Sequence, residues 1–319
     1  KSTQQENKME GLILSVRAYD YLRLLAPQLP PGVTLHAAEN AAEAEPWLKE
    51  SVVVLADPPL VRPLLPHLPH LRWLQSTYAG VETLLSPDLR RDYLLTNARG
   101  AFGDSMAEYV LGYVILHERR GWHRYLAQRE QRWDTTWPGR LRGKTMGLVG
   151  VGSIGAAIAR AARSFGVRTL GYTLSSAGEP AIDRYYHGDA LETMAAACDY
   201  LVCSLPHTPA SRHRIDRSVL AALPAHALLV NVGRGSTVDE EALVAALQAG
   251  RLGGAVLDVF QTEPLPAGHP FWSLPNVIVT CHTSALSYPE DIAPIFLDNL
   301  QHFLAGAALN NRVDFARGY

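Results

Sequence analysis

One short segment does most to restrict what this chain can become. Gly150-Val151-Gly152-Ser153-Ile154-Gly155 follows an apolar run, Thr145–Val149, and opens an apolar-periodic stretch, Ile154–Phe165. Glycines at this spacing between a strand and a helix predict a tight turn at Gly150, close backbone approach at Gly152 and helix–strand packing at Gly155. The free amides and positive dipole end of the helix then suit a pyrophosphate. A dinucleotide site on a parallel α/β sheet is the expectation, and an ordinary tight turn is the alternative.

The same rhythm runs through the rest of the chain. Apolar runs at Gly11–Val16, Val33–Ala38, Val52–Ala56, Trp73–Ser76 and Leu94–Asn97 predict strands, with helices over Asp20–Ala26 and Ala42–Lys49 between them. After the glycine turn, strands are predicted at Val167–Gly171, Tyr200–Leu205, Ala227–Val232, Ala255–Val259 and Val277–Thr280, and a last helix over Ile292–Leu304. Strands alternating with helical patterns imply parallel sheets flanked by helices. Ala107, Val110, Leu111, Val114 and Ile115 form one helical stripe, with Asp104 and Ser105 as N-cap candidates. Gly166 and Gly250 suit helix C-terminal positions. At 319 residues, two domains are the default.

Composition removes several classes of function. Apolar residues at 47% support sizeable cores, and charged residues at 19% argue against disorder. A net charge of -2 predicts neither a nucleic-acid partner nor an electrostatic membrane anchor. No apolar run reaches membrane-spanning length, and Gly11–Val16 is too short for a signal peptide, so cytoplasm is the default location. Cys198, Cys203 and Cys281 have no zinc-like spacing and form a poor disulfide framework, which fits a reducing compartment; no metal site is expected. His67 and His70 read as surface residues.

The end of the second strand after the glycine turn should face the adenosine ribose. Thr173 stands there, within Gly171-Tyr-Thr-Leu-Ser-Ser176. A carboxylate would bind the 2′-hydroxyl and repel a 2′-phosphate, whereas Thr173, Ser175 and Ser176 can donate to a phosphate. No arginine neighbours them in sequence. The balance leans to NADP over NAD.

Three more segments place polar residues where strands end. They are Asn231-Val-Gly-Arg234-Gly235-Ser-Thr-Val-Asp239, Leu257-Asp258-Val-Phe-Gln-Thr-Glu263-Pro264 and Asn276-Val-Ile-Val-Thr-Cys-His282. Ligands bind at the carboxyl ends of strands in open α/β sheets, so Arg234, Glu263 and His282 can converge on the glycine turn. With these motifs in order, the chain resembles the D-isomer-specific 2-hydroxyacid dehydrogenase family over nearly its whole length, and looks most like the glyoxylate/hydroxypyruvate reductases.

The resemblance implies two Rossmann-like or flavodoxin-like domains with a cleft between them. Residues 103–284 would bind the dinucleotide. Residues 1–102 with 285–319 would bind substrate, with hinges near Gly100 and Ser284. It implies hydride transfer between NAD(P)H and a small 2-keto or 2-hydroxy acid, with Arg234, Glu263 and His282 catalytic. Gly150, Gly152, Ser153, Ile154, Gly155, Thr173, Ser175, Pro206, Val232, Arg234, Asp258 and His282 would surround the cofactor. Tyr78, Ala79 and Gly80 would join Arg234 and His282 at the substrate. A homodimer built on the helix after Asp104 is implied too. The sequence departs from the family pattern at Cys281, where proline is common, at Thr173, where aspartate is usual, and at Thr283-Ser-Ala.

The chemistry accounts for the residue types. A keto acid gaining hydride needs a proton at its carbonyl oxygen, which a histidine can supply. Glu263 beside His282 would favour the imidazolium and orient it. Arg234 offers a planar, permanently charged fork to the carboxylate. Plainer roles compete: Asp239 and Asp258 can cap a helix or satisfy loop amides, and Trp133, Trp137 and Tyr288 can pack rather than line a pocket. A Cys281–His282 nucleophile pair is disfavoured, since neighbours at a strand end point apart. The rival from another class is a dinucleotide-sensing binding protein without turnover. A formate-type dehydrogenase would pair its histidine with glutamine rather than Glu263.

Overall fold

Residues 8–174 and 178–316 are described in a computed structural model of the chain. The chain divides into two units, Lys1–Ala101 with Ser287–Tyr319, and Phe102–Leu286.

The first unit holds a parallel sheet of β1 (Met9–Leu14), β2 (Val33–Ala38), β3 (Val53–Ala56), β4 (Trp73–Ser76) and β5 (Leu94–Thr96), in the order β2-β1-β3-β4-β5. This is the flavodoxin-like order, with its reversal between β1 and β3. β3 and β4 are wholly buried, which is why they read as unbroken apolar runs. β1 begins two residues earlier than the apolar run suggests, because Met9 and Glu10 pair with Val33 and Thr34. The helix expected over Ala42–Lys49 is a four-residue turn, Ala41–Ala44, followed by a 3-10 turn, Glu45–Trp47. Pro46 has no amide to continue the helical ladder.

The helix Pro289–Leu304 belongs to this first unit and packs against Ala18–Leu25. Its Phe296 stacks on Trp73 with ring centroids 5.1 Å apart. Its fully buried Asn299 bonds Gln75 Oε1 at 3.1 Å and both backbone groups of Asn310, at 2.7 and 3.1 Å. Thr96 continues the chain, donating to Gln75 Oε1 at 2.7 Å and accepting the Trp73 indole N–H at 2.8 Å. These buried polar groups satisfy one another, so the network sets the register of the C-terminal segment.

The second unit contains β6 (Thr145–Val149), β7 (Arg168–Tyr172), β8 (Arg184–Tyr186), β9 (Tyr200–Cys203), β10 (Leu228–Asn231), β11 (Gly254–Leu257) and β12 (Val277–Val279). They form a parallel sheet in the order β12-β11-β10-β9-β6-β7-β8, the doubly wound dinucleotide-fold order with one further strand at the β12 edge. Successive strand residues feed different cores. Val149, Leu201, Leu229 and Leu257 join one layer, while Leu148, Val202, Val230 and Val256 join the other. The second layer is completed by the helices Gly103–Glu118 and Ser153–Ser164.

Two local readings need correction. The helix over Gly103–Glu118 has Phe102 at its N-cap with no side-chain bond, so neither Asp104 nor Ser105 caps it. Its stripe of Ala107, Val110, Leu111 and Val114 is buried against the helix Ser153–Ser164. The polar connection through Arg142 contains a helix, Gly121–Arg129, whose sparse apolar content hid it. Gly166 and Gly250 do close their helices: their amides reach Arg163 O and Leu247 O, and the next amides reach Ala162 O and Ala246 O.

Candidate active site

The glycine turn has the geometry that its spacing calls for. Gly150 sits at φ +100°, a conformation costly for residues with a Cβ, and its amide donates to Tyr172 O at 2.9 Å. A Cβ on Gly155 would fall 2.2 Å from Gly150 O, so only glycine lets the helix come this close to the strand. A Cβ on Gly152 would meet nothing within 4 Å, and Gly152 and Ser153 are exposed. The helix Ser153–Ser164 therefore begins on open space with its first amides available, and the residues present fit a bound pyrophosphate. Ser204, which the sequence did not single out, donates to Gly150 O at 3.0 Å and braces the turn from the end of β9.

At the far end of β7, Thr173 is nearly buried. Its amide bonds Tyr186 O at 3.2 Å, and the His187 imidazole lies 3.0 Å from its carbonyl. Arg214 reaches this region from a distant loop. It donates to the Tyr172 hydroxyl and, at 2.6 Å, to Gly188 O, with its guanidinium 5.0 Å from the Tyr172 ring centroid. An arginine thus approaches the end of β7 although none lies nearby in sequence. Ser175 lies outside the described residues.

β10, β11 and β12 are adjacent and parallel, so the segments that follow them emerge side by side. After β10, Asn231 folds its side chain onto the turn, donating to Arg234 O at 3.1 Å and accepting the Gly233 amide at 3.2 Å. Thr237 also donates to Arg234 O, at 2.6 Å. Half-buried Arg234 donates from one guanidinium nitrogen to Gly233 O at 2.8 Å. Gly235 faces the Phe260 carbonyl so closely that a Cβ would lie 1.9 Å from its carbon. The loops after β10 and β11 therefore pack backbone on backbone, which fixes the glycine after Arg234.

Asp258, at the end of β11, is fully buried. One carboxylate oxygen accepts Thr280 Oγ1 and the Thr283 amide, both at 2.7 Å, and the other accepts the Ser284 amide at 3.1 Å. Its carbonyl accepts the His282 amide at 2.6 Å. Asp258 thus holds the segment that carries His282, and the Tyr109 hydroxyl, 2.6 Å from Thr280 Oγ1, extends the clamp to the helix Gly103–Glu118. Val232 is buried in the core layer, and exposed Pro206 accepts Ser211 Oγ at 2.6 Å. Asp239 caps the helix Glu240–Gln248 by accepting the Ala242 amide at 3.0 Å.

Glu263 and His282 come together. Glu263 Oε2 lies 2.8 Å from His282 Nδ1, and Glu263 Oε1 accepts the Phe260 amide at 2.9 Å. About half of the imidazole side chain is open to solvent, at 51%. The strand ends at Val279, and Cys281 and His282 both adopt left-handed conformations, φ +56° and +57°. The two side chains are thus not placed by strand alternation; a turn clamped by Asp258 sets them. Tyr78, Ala79 and Gly80 lie in the first unit. There Ser76 Oγ accepts the Tyr78 amide and donates to the Tyr78 carbonyl, both at 2.9 Å, while Asn97 donates to Ala79 O at 2.9 Å.

A sequence model of the D-isomer-specific 2-hydroxyacid dehydrogenase NAD-binding domain matches residues 111–284, more than half of the chain. A glyoxylate/hydroxypyruvate reductase of Arabidopsis thaliana is 35% identical over 261 residues, 79% of each chain. The crystal structure of a D-isomer-specific 2-hydroxyacid dehydrogenase family protein from Aeromonas salmonicida superposes with a TM-score of 0.93 at 39% identity, covering 97% of this chain and 99% of that one. A D-isomer-specific 2-hydroxyacid dehydrogenase from Xanthobacter autotrophicus, solved with NADPH, superposes with a TM-score of 0.83 at 31% identity, covering 97% and 99%. The strand order and the glycine turn fit these likenesses: the chain belongs to the D-isomer-specific 2-hydroxyacid dehydrogenase family, in its glyoxylate/hydroxypyruvate reductase-like branch, and is an NAD(P)-dependent oxidoreductase acting on 2-keto and 2-hydroxy acids.

Proposed function

We propose that this enzyme reduces a small 2-keto acid of the glyoxylate or hydroxypyruvate kind to the D-2-hydroxy acid, with His282 as proton donor. The observation that carries this reading is the Glu263 Oε2–His282 Nδ1 contact at 2.8 Å. The nicotinamide cofactor supplies the hydride. Glu263 occupies Nδ1, which leaves Nε2 to meet the substrate carbonyl oxygen. The carbonyl carbon gains the hydride, its oxygen gains the His282 proton, and the Glu263 carboxylate stabilises the imidazolium until that proton leaves. Arg234 binds the carboxylate and polarises the carbonyl through its fork of donors. Backbone groups of Tyr78, Ala79 and Gly80 are assigned to the substrate carboxylate as well.

Gly150, Gly152, Ser153, Ile154 and Gly155 are assigned to the pyrophosphate, and Pro206 and Val232 to the remaining cofactor surface. Asp258 contributes by holding the His282 segment. NADPH is the favoured cofactor, because Thr173 presents no carboxylate to repel a 2′-phosphate and a relative of 31% identity was solved with NADPH. The test is a panel of glyoxylate, hydroxypyruvate, pyruvate and phenylpyruvate with each reduced cofactor, followed by nicotinamide absorbance. Turnover with the first two, faster with NADPH, is expected. Cofactor binding without turnover of any of them would overturn the assignment.

A homodimer through the helix Gly103–Glu118 and the segment that follows it is part of the same proposal. Trp122 stacks on Tyr125 there, Leu126 is exposed, and Trp133 and Trp137 are 91% and 92% exposed. Clustered apolar surface of this kind marks an interaction site. Sedimentation should show a dimer, and a monomer at assay concentration would remove this assignment. No helix among the described residues is long and apolar enough to cross a membrane. Cys281, an exposed free thiol, fits a reducing compartment such as the cytoplasm.

A further inference from the structure

A second carboxylate stands behind the Glu263–His282 pair. Glu240 opens the helix Glu240–Gln248, and only 15% of its side chain is exposed. Its Oε1 accepts the Gln261 amide at 2.7 Å. The preceding amide, that of Phe260, is taken by Glu263 Oε1 at 2.9 Å. Consecutive amides of one turn are therefore held by two different acids. Glu240 Oε2 lies 3.7 Å from His269 Nε2. His269 Nδ1 accepts the Phe271 amide at 3.3 Å, so the ring carries its proton on Nε2, towards Glu240. The Gln261 side chain closes the arrangement, donating to Val238 O at 3.2 Å and lying 3.5 Å from His213 Nε2.

We propose that Glu240 is a positioning residue for the Glu263–His282 pair: it fixes the turn from which Glu263 reaches the imidazole, and its charge strengthens the hold of that pair on its proton. The inference rests on the catalytic reading of His282 given above.

The charged and titratable groups facing Glu240 are Glu263, His269 and His213. Burial raises the Glu240 carboxyl above its ordinary range, the Gln261 amide opposes this, and the Glu263 charge adds to it while the two histidines subtract. Once ionised, Glu240 adds negative potential behind Glu263. On this proposal the pair holds a proton less strongly when that charge is removed. Keto-acid reduction needs the protonated ring, so its alkaline limb must move down in pH. A carboxylate that merely complements the helix dipole would leave that limb in place.

Glu240→Gln keeps an oxygen for the Gln261 amide and removes the charge. Its His282 titration midpoint, read by NMR of labelled histidine, and the alkaline limb of kcat/KM should both fall by about half a pH unit, as expected for a charge acting across a partly solvated site. The maximal rate should stay within about twofold of wild type, since the hydrogen bond survives. Glu240→Asp restores the charge and should return the midpoint towards wild type. Glu240→Ala loses bond and charge together, and its rate should drop about tenfold, as expected when a group at the site is no longer held in place. The inference is overturned if Glu240→Gln lowers thermal stability while leaving midpoint and limb unmoved. If the midpoint shifts but the wild-type enzyme reduces no 2-keto acid, the catalytic reading fails and the electrostatic link between Glu240 and His282 stands.

Discussion

Gly235 and Phe260 meet main chain to main chain, with room for a hydrogen but not a methyl group: an added Cβ would sit 1.9 Å from one Phe260 backbone atom and 2.1 Å from another. One side of this contact follows Arg234, and the other leads to Glu263 through the turn Phe260–Glu263. Gly235→Ala must therefore push apart the two loops that carry the guanidinium and the carboxylate. A destabilisation of about 1–3 kcal/mol is expected from overpacking. The kcat should fall along with the melting temperature. An alanine variant that melts and turns over like wild type would show the contact to be looser than described.

Gly155→Ala makes a separate claim about the glycine turn. Its methyl group would lie 2.2 Å from Gly150 O, so the helix must retreat from the strand. The pyrophosphate cradle widens, and NADPH affinity measured by fluorescence quenching should weaken by about tenfold or more, equivalent to roughly 1.4 kcal/mol.

His282→Ala should lower the maximal rate by about 10²–10⁴, the usual contribution of a positioned acid–base group, with cofactor affinity retained. Arg234→Lys should instead raise the keto-acid KM and lower kcat together, because an ammonium cannot reproduce the planar fork. Steady-state kinetics separates the two. Wild-type turnover in the first variant, or unchanged constants in the second, would refute the corresponding role.

The three cysteines should differ sharply in reactivity. Cys198 and Cys203 are buried, and burial pushes the Cys198 thiol up to about 12 and raises that of Cys203 as well. A thiol needs its thiolate form to react. At neutral pH the native enzyme should be alkylated at exposed Cys281 alone, and all three should react in denaturant. Mass mapping that finds Cys198 modified in the folded protein would contradict this.

What the sequence revealed follows the range of each signal. Strand positions were legible because buried parallel strands such as Val53–Ala56 and Leu228–Asn231 are continuous apolar runs. β8 escaped notice because Arg184–Tyr186 is a three-residue edge strand with little apolar character. Glu263 and His282 could be named because each closes a recognisable strand-end segment. Glu240 gave no such signal, since beside Asp239 it reads as an ordinary acidic first turn of a helix, and its partner amide at Gln261 lies 21 residues away. Arg214 was hidden for the same reason, as it reaches Tyr172 across 42 residues. The placement of Cys281 and His282 required knowing that Asp258 pins the turn, a fact no local pattern carries.

The anchoring of Asn299 and Phe296 in the first unit has a consequence for biosynthesis. Trp73 emerges from the ribosome long before the helix that covers it, whereas Phe102–Leu286 is contiguous and can condense as soon as it is made. Vectorial synthesis therefore favours completion of the middle of the chain before its beginning, reversing the usual N-terminal-first sequence. Nascent chains halted before Pro289 should present an uncovered tryptophan to chaperones while already containing an assembled dinucleotide fold.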